Sequence, residues 1–222
     1  MSNIPKVEAI LFDMDGTLVD TEPVGQETLR DFLLKNNITI SANDWNLFDK
    51  VWRRDGTKIT FEEFISDILK KYADIVDAKN YISDFYHNYE NNILLSKPLP
   101  GANEALSYLK NKYKLALVTA STTSQAKLIL RNNNWDNNFD IVISHDDFQK
   151  SKPDPECFLT AANRLGVDPE KCVVIEDSKN GTIAGRNGGM FVVGVKAGNK
   201  HAQDLSAANI ILETLDGIKN IL

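Results

Sequence analysis

The chain beyond residue 100 alternates short, continuous apolar runs with amphipathic segments of helical period. Apolar runs of strand length without internal polar positions are typical of strands buried on both faces. Their alternation with helices predicts a parallel sheet covered by helices, a Rossmann-like three-layer α/β core. The predicted elements are helix 102–112, strand 114–119, helix 123–132, strand 140–144, helix 155–165, strand 172–176, helix 179–187, strand 190–195 and an edge strand around Ile210-Ile211 before a terminal helix.

Residues 20–94 carry helical periodicity and no strand alternation. The clearest amphipathic helix spans 60–72, where Thr60 and Glu63 form a capping-box pattern. A further helix is predicted over roughly 78–92. We therefore interpret this block as all-helical.

The first apolar run, 7–12, has the character of the later strands and belongs with them. Two prolines and a glycine in the segment 96–101 mark the end of the helical block. The sequence thus predicts an α/β core domain made of residues 1–19 and 95–222. An all-helical domain, residues 20–94, is inserted after the first strand.

Two carboxylates follow the first predicted strand, at Asp13 and Asp15, and Gly16 then lets the backbone turn away. Unpaired buried carboxylates are costly, so these residues need a partner. Alternate residues of a strand point to the same face of the sheet, so the side chains of Asp13 and Asp15 would lie on one face if the strand continues that far. Two acidic groups there indicate a cation site or an acid/base pair.

Polar residues also follow three later elements. Thr119-Ala120-Ser121 ends a strand and opens a helix, a pattern that suits either oxyanion binding or a plain helix cap. Lys152 lies just before a predicted helix start at Asp154 and Pro155. Glu176 and Asp177 end another buried strand, and with the first pair they favour Mg²⁺ over a simple helix cap.

Asp-Met-Asp-Gly-Thr-Leu at 13–18, followed in order by these three segments, resembles the four motifs of the haloacid dehalogenase superfamily in its phosphoryl-transferring branch. The ligands of an open α/β sheet lie outside the carboxyl ends of its strands, so the four motifs would converge. The resemblance covers nearly the whole core. It also implies that the helical insertion is a four-helix type of cap domain.

The resemblance implies a set of roles. Asp13 would be the nucleophile and Asp15 the acid/base group, and Lys152 would neutralise charge. Thr119 would bond a phosphoryl oxygen, with Ala120 and Ser121 completing the phosphate loop. The implied Mg²⁺ ligands are the side chains of Asp13 and Asp177 and the backbone carbonyl of Asp15, with Glu176 in support.

The expected activity is Mg²⁺-dependent hydrolysis of a small phosphomonoester, such as a sugar phosphate, through an aspartyl-phosphate. An acidic residue at position 15 disfavours the dehalogenase branch. A β-phosphoglucomutase shares the motifs and the cap type, but the histidine that this family carries in its first cap helix corresponds to Gly25. A non-catalytic binding module is the third alternative.

The substrate-reading residues are expected in the helical domain. Arg53, Arg54 and Lys58 flank Gly56 in a predicted loop. We interpret them either as a solvated basic loop or as cations that contact a distal polar group of the substrate.

The formal net charge of −6 argues against nucleic acid or an anionic membrane as a partner, since both need a basic surface. The sequence has no apolar stretch of membrane-spanning length and no signal-peptide pattern. With two cysteines, it suggests a cytoplasmic protein with reduced thiols. The expected partner is a small phosphate ester, and the expected state is a monomer or a weak homodimer.

Overall fold

A computed structural model describes residues 4–52, 59–196 and 203–222. Its main feature is a sheet of six strands, which are β1 Ala9–Phe12, β4 Lys114–Val118, β5 Ile141–Ile143, β6 Cys172–Glu176, β7 Phe191–Val195 and β8 Ile210–Leu212. They lie in the order β5-β4-β1-β6-β7-β8, and every neighbouring pair is parallel. A separate antiparallel pair joins β2, Val19–Asp20, to β3, Lys97–Pro98.

The helices that alternate with these strands along the chain are α5 Ala102–Leu109, α6 Thr123–Asn132, α7 Glu156–Leu165 and α8 Lys179–Asn187. There are 3₁₀ turns at His145–Asp147, Pro169–Lys171 and Leu215–Asn220. Strands β1, β6 and β7 are buried along their whole length, as expected when helices cover both faces. The predicted α/β class with a parallel sheet is confirmed.

Several predicted boundaries are wrong, each for a local reason. The helix predicted to reach residue 112 ends at Leu109 and continues as a turn. The strand predicted over 140–144 is shorter, because the Asp140 carboxylate accepts the Leu115 N–H and Ser144 starts the 3₁₀ turn. The predicted terminal helix is the 3₁₀ turn Leu215–Asn220.

The described residues fall into two compact units: an α/β unit with residues up to Thr21 and from Ser96 onward, and a helical unit, Glu22–Leu95. The helices of the helical unit are α1 Glu22–Lys35, α2 Ala42–Trp52, α3 Phe61–Ala73 and α4 Lys79–Asn92. The predicted capping box at Thr60 and Glu63 is confirmed, with both reciprocal hydrogen bonds present. Within the described residues of the block 20–94, the all-helical interpretation is wrong at Asp20, which lies in β2. In the described part, no helix is long and apolar enough to span a membrane.

A buried carboxylate ties two helices of the helical unit together. Asp44 accepts hydrogen bonds from the Ser41 hydroxyl at 2.6 Å, the Tyr72 hydroxyl at 2.5 Å and Lys71 Nζ at 3.1 Å. The backbone N–H of Ser41 also donates to it, which completes a cap at the start of α2. Burial raises the pKa of Asp44, but the hydrogen bonds from Ser41, Tyr72 and Lys71 outweigh it and hold the pKa well below the ordinary range.

Replacing Asp44 by asparagine is expected to lower the free energy of unfolding by ~2 kcal/mol at neutral pH, because charge-assisted bonds are lost. A carboxylate with a depressed folded-state pKa stabilises the protein above its unfolded pKa of ~3.9 and loses this contribution as the pH falls towards the folded value. The difference between Asp44→Asn and wild type should therefore shrink below about pH 4 in denaturant unfolding measured across pH. Asp67→Asn, at an exposed position of α3, is the matched control. Equal losses at pH 7 and pH 3 would contradict the role of the charge.

Candidate active site

The first predicted motif forms a tight loop beyond β1. The Asp13 N–H donates to the Ile175 carbonyl at 3.0 Å, which continues the pairing of β1 with β6. Gly16 has φ of +84°, a left-handed conformation that favours glycine. A Cβ at Gly16 would also overlap the Asp177 carboxylate, so the missing side chain lets two strand-end loops approach each other.

A buried lysine joins two of these loops. Lys152 Nζ lies 2.5 Å from Asp13 Oδ1 and 2.7 Å from Glu176 Oε1. The side chains of Lys152 and Asp13 are each 10% exposed and that of Glu176 is 1% exposed. The ring centroid of the fully buried Phe158 lies 4.9 Å from Lys152 Nζ, at a distance typical of a cation–π contact. The lysine is therefore fixed, in contrast to the usual solvated side chain.

The electrostatics of this cluster are dominated by carboxylates. Burial raises the pKa of Asp13 well above its ordinary value; Lys152 opposes the rise, and the charges of Glu176, Asp177 and Asp15 add to it. Burial alone would lower the pKa of Lys152, but Asp13 and Glu176 together raise it above the usual range. Among the described residues, one ammonium group thus stands against four carboxylates, so carboxylates outnumber cations at this site.

The buried acidic group could bind a metal ion. Asp13, Glu176 and Asp177 each offer an oxygen within 4.8 Å of the others. Hard oxygen donors with excess negative charge are the chemistry that Mg²⁺ prefers. The Thr17 hydroxyl donates to Asp177 Oδ1 at 3.0 Å and orients this carboxylate. The residues present therefore fit a divalent cation.

Asp15 has a different set of partners from Asp13. The hydroxyls of Thr119 and Ser121 donate to Asp15 Oδ2 at 3.0 and 2.9 Å. The Thr21 hydroxyl donates to Oδ1 at 2.9 Å. Three hydroxyl donors fix the orientation of this carboxylate.

The predicted phosphate loop starts from the same residues. Thr119, expected to bond a phosphoryl oxygen, directs its hydroxyl to Asp15 and accepts the Ser121 N–H at 3.0 Å. Ala120 lies between them and is half-buried. The Ser121 carbonyl accepts the His145 N–H at 2.9 Å, so a neighbouring 3₁₀ turn braces the loop. The hydroxyls of Thr119 and Ser121 therefore both bind Asp15 in this structure.

The structure brings together the sequence-predicted residues Asp13, Asp15, Thr119, Ser121, Lys152, Glu176 and Asp177 through these contacts. The expected helix start at Asp154 and Pro155 is displaced, since α7 begins at Glu156. Arg53, Arg54 and Lys58 lie outside the described residues.

Sequence reasoning missed the residues that orient these carboxylates. Ser178 donates to Glu176 Oε2 from its N–H at 2.7 Å and from its hydroxyl at 2.9 Å. Thr17 and Thr21 bond Asp177 and Asp15. A signal was present in each case, because a hydroxyl residue lies within six positions of an acidic motif.

Comparison with known proteins gives a family and several relatives. Residues 7–189 match the model of the haloacid dehalogenase-like hydrolases. The phosphorylated carbohydrates phosphatase of Thermotoga maritima is 35% identical over 188 residues, covering 83% of this chain and 82% of that protein. The bifunctional riboflavin kinase/FMN phosphatase of Arabidopsis thaliana is 31% identical over 95% of this chain, which spans 54% of the plant protein.

A solved structure extends the comparison to the fold. A Thermotoga maritima crystal structure that carries a provisional β-phosphoglucomutase assignment superposes with a TM-score of 0.82. It is 29% identical, and the match covers 97% of this chain and 100% of that one. The architecture is thus shared over nearly the whole chain.

Proposed function

The chain belongs to the haloacid dehalogenase-like hydrolases, and on that premise we propose that it hydrolyses small organic phosphomonoesters in a Mg²⁺-dependent reaction through an aspartyl-phosphate. The observation that carries the proposal is the placement of Lys152 between Asp13 and Glu176, with Asp177 completing the acidic group. A nucleophilic carboxylate, a fixed cation and a cluster of oxygen donors are the parts that phosphoryl transfer needs.

In the first half-reaction, a carboxylate oxygen of Asp13 attacks phosphorus and the bond from phosphorus to the ester oxygen breaks. Asp15 gives a proton to the departing oxygen. In the second half-reaction, Asp15 takes a proton from a water molecule that attacks the phosphoryl group, and the bond to Asp13 breaks. The hydroxyls of Thr119, Ser121 and Thr21 hold Asp15 for both transfers.

Anion attack on an anion needs charge compensation. Lys152 supplies one positive charge at Asp13. Asp13 and Asp177 would hold the metal through their side chains and Asp15 through its backbone carbonyl, with Glu176 in support. Bound Mg²⁺ supplies Lewis-acid stabilisation of the phosphoryl oxygens.

The proposed substrate class is phosphorylated sugars and similar small molecules. Support comes from the 35% identical relative, which is named for phosphorylated carbohydrates. We assign the helical unit, Glu22–Leu95, to the role of a cap, and Arg53 and Arg54 to contacts with the distal part of the substrate. If Arg53→Ala, Arg54→Ala and Lys58→Ala all leave kcat/KM unchanged on the best substrate, this proposed role of the basic residues is wrong.

A β-phosphoglucomutase is the second candidate, and the structural similarity to a protein so assigned favours it. The packing around Gly25 argues against the mutase function. A Cβ at Gly25 would overlap the Trp52 indole, so a histidine there would require the tryptophan to move. The Trp52 ring is itself packed against two other rings: its centroid lies 4.9 Å from that of Tyr89 and 5.3 Å from that of Phe61.

The test is phosphate release from a panel of sugar phosphates, polyol phosphates and nucleotides, with Mg²⁺ and with a chelator. We expect release that needs Mg²⁺ and is fastest on sugar phosphates. Interconversion of glucose phosphates without net phosphate release would instead establish the mutase. Neither reaction on any substrate would favour the non-catalytic binding module.

A further inference from the structure

Gly181 lies in the first turn of α8, directly beneath the Glu176 carboxylate. Ser178 caps this helix, and its hydroxyl accepts the Gly181 N–H at 3.0 Å. The N–H of Ser178 donates in turn to Glu176 Oε2 at 2.7 Å. Glu176 thus bonds the start of a helix that follows its own strand, where a negative charge is favourable.

The position of Glu176 explains why this helix carries a glycine. In a capping box the third helical residue extends its side chain to the N–H of the cap residue. Here Glu176 is the acceptor of that N–H, and a Cβ at Gly181 would overlap its carboxylate. Gly181 does not have a positive φ, so the backbone does not require glycine. Glycine is less favourable than alanine inside a helix. At position 181 it leaves the space that the Glu176 carboxylate occupies.

The same carboxylate holds the lysine of the proposed active site. Glu176 Oε1 accepts from Lys152 Nζ at 2.7 Å, and Lys152 also contacts Asp13. We propose that Gly181 is a positioning residue for Lys152, because its missing side chain lets Glu176 hold the ammonium group beside the nucleophile. This role rests on the proposed function of Lys152 and deepens it.

The kinetic test is Gly181→Ala, with Gly188→Ala as the matched control at the end of the same helix. A Cβ at Gly188 meets its nearest neighbour at 3.4 Å, an ordinary contact. We expect Gly181→Ala to lower kcat by about ten- to a hundred-fold, because a small displacement of a catalytic group has effects of this size. KM should change less than kcat, and Gly188→Ala should match wild type. Wild-type kcat in Gly181→Ala would overturn the inference, whereas a wild type inactive on every substrate would overturn the proposed function.

A second test needs no activity and uses the sign of a stability change. Gly181→Ala is made in the wild-type and in the Glu176→Ala backgrounds, and thermal unfolding is measured without metal. With Glu176 present, we expect Tm to fall; with Glu176 removed, helix propensity alone remains and Tm should rise by roughly 2–4 °C. Gly188→Ala should have the same effect in both backgrounds. Equal shifts for Gly181→Ala in both backgrounds would show that Gly181 and Glu176 are not coupled, and would contradict the proposal.

Discussion

Replacing Asp13 by asparagine is expected to abolish phosphate release, with a fall in kcat of at least about 10⁴-fold, as for the loss of other covalent nucleophiles. The amide is nearly isosteric but cannot form the acyl-phosphate. The effect is measured as Mg²⁺-dependent phosphate release from the best substrate of the panel. Asp168→Asn is the matched control, because the Asp168 side chain is 76% exposed and pairs only at the surface. An Asp13→Asn protein within tenfold of wild type would rule out Asp13 as the nucleophile.

The same substitution should not destabilise the metal-free protein. Burial raises the pKa of Asp13, and neighbouring carboxylates add to this, so the charged form is disfavoured in the folded state. A carboxyl with a raised folded-state pKa binds more protons when folded, and stability then falls as pH rises through the window above ~3.9. We expect Asp13→Asn to have a Tm at or above that of wild type at neutral pH, and this advantage should shrink as the pH is lowered. A large loss of stability at neutral pH would mean that the ion pair with Lys152 dominates.

Replacing Lys152 by methionine is expected to damage both activity and stability. The ammonium lies within 2.7 Å of two buried carboxylates, and removing it leaves both without this partner. Breaking a buried ion pair from one side costs about 3–5 kcal/mol, which should appear in denaturant unfolding of the metal-free protein. A fall in kcat of about 10²–10³-fold should accompany it, the usual effect of removing one electrostatic stabiliser.

Lys150→Met provides the matched control for this prediction. Lys150 is two residues away, is 72% exposed, and reaches Asp154 only at 3.8 Å. Exposed pairs of this kind contribute about 0–1 kcal/mol, so both kcat and unfolding should stay close to wild type. If Lys152→Met retains wild-type kcat and unfolding free energy, the buried cation has neither of the roles assigned to it.

The fold of the α/β unit follows closely from the apolar pattern. Strand β6 and helices α6 and α8 have the predicted bounds, because a buried run between polar segments leaves few alternatives. Errors lie at element ends, where side chains decide the outcome. The carboxylate of Asp140, for example, takes a backbone N–H and shortens β5.

Helix α2, Ala42–Trp52, was not predicted as a separate helix, and the short strand pair β2–β3 was not predicted either. The polar residues of α2 obscure its apolar face, and of its carboxylates Asp44 is buried. The partners of Asp44 on α3, Lys71 and Tyr72, are distant in sequence, so the pattern around residue 44 alone carries no sign of them. Ser41 and Asp44 do form a local capping pattern, but the tertiary contacts with α3 leave no signal in the sequence near residue 44.

In the candidate site, too, some residues could be predicted from the sequence, whereas their contacts could not. Residue type and position at strand ends indicated Asp13 and Asp177, because charges cannot be buried there without partners. Lys152 lies before a helix, and only the resemblance to the superfamily motifs indicated its role. The choice of partner could not be predicted. The Thr119 hydroxyl bonds Asp15, and Gly181 makes room for Glu176, through contacts that depend on distances of a few ångströms between loops.

The most direct test of the account is the detection of a phosphoryl group on Asp13 after rapid quenching, in Asp15→Asn protein supplied with an aryl phosphate and Mg²⁺. An aryl oxide leaves without a proton, so the first half-reaction proceeds, while the attacking water lacks its base and the intermediate accumulates. We predict that mass spectrometry finds one added phosphoryl group per chain, on the peptide that contains Asp13, and none in the Asp13→Asn/Asp15→Asn double variant. Phosphate release without a phosphorylated Asp13, or a phosphoryl group on another residue, would contradict the account.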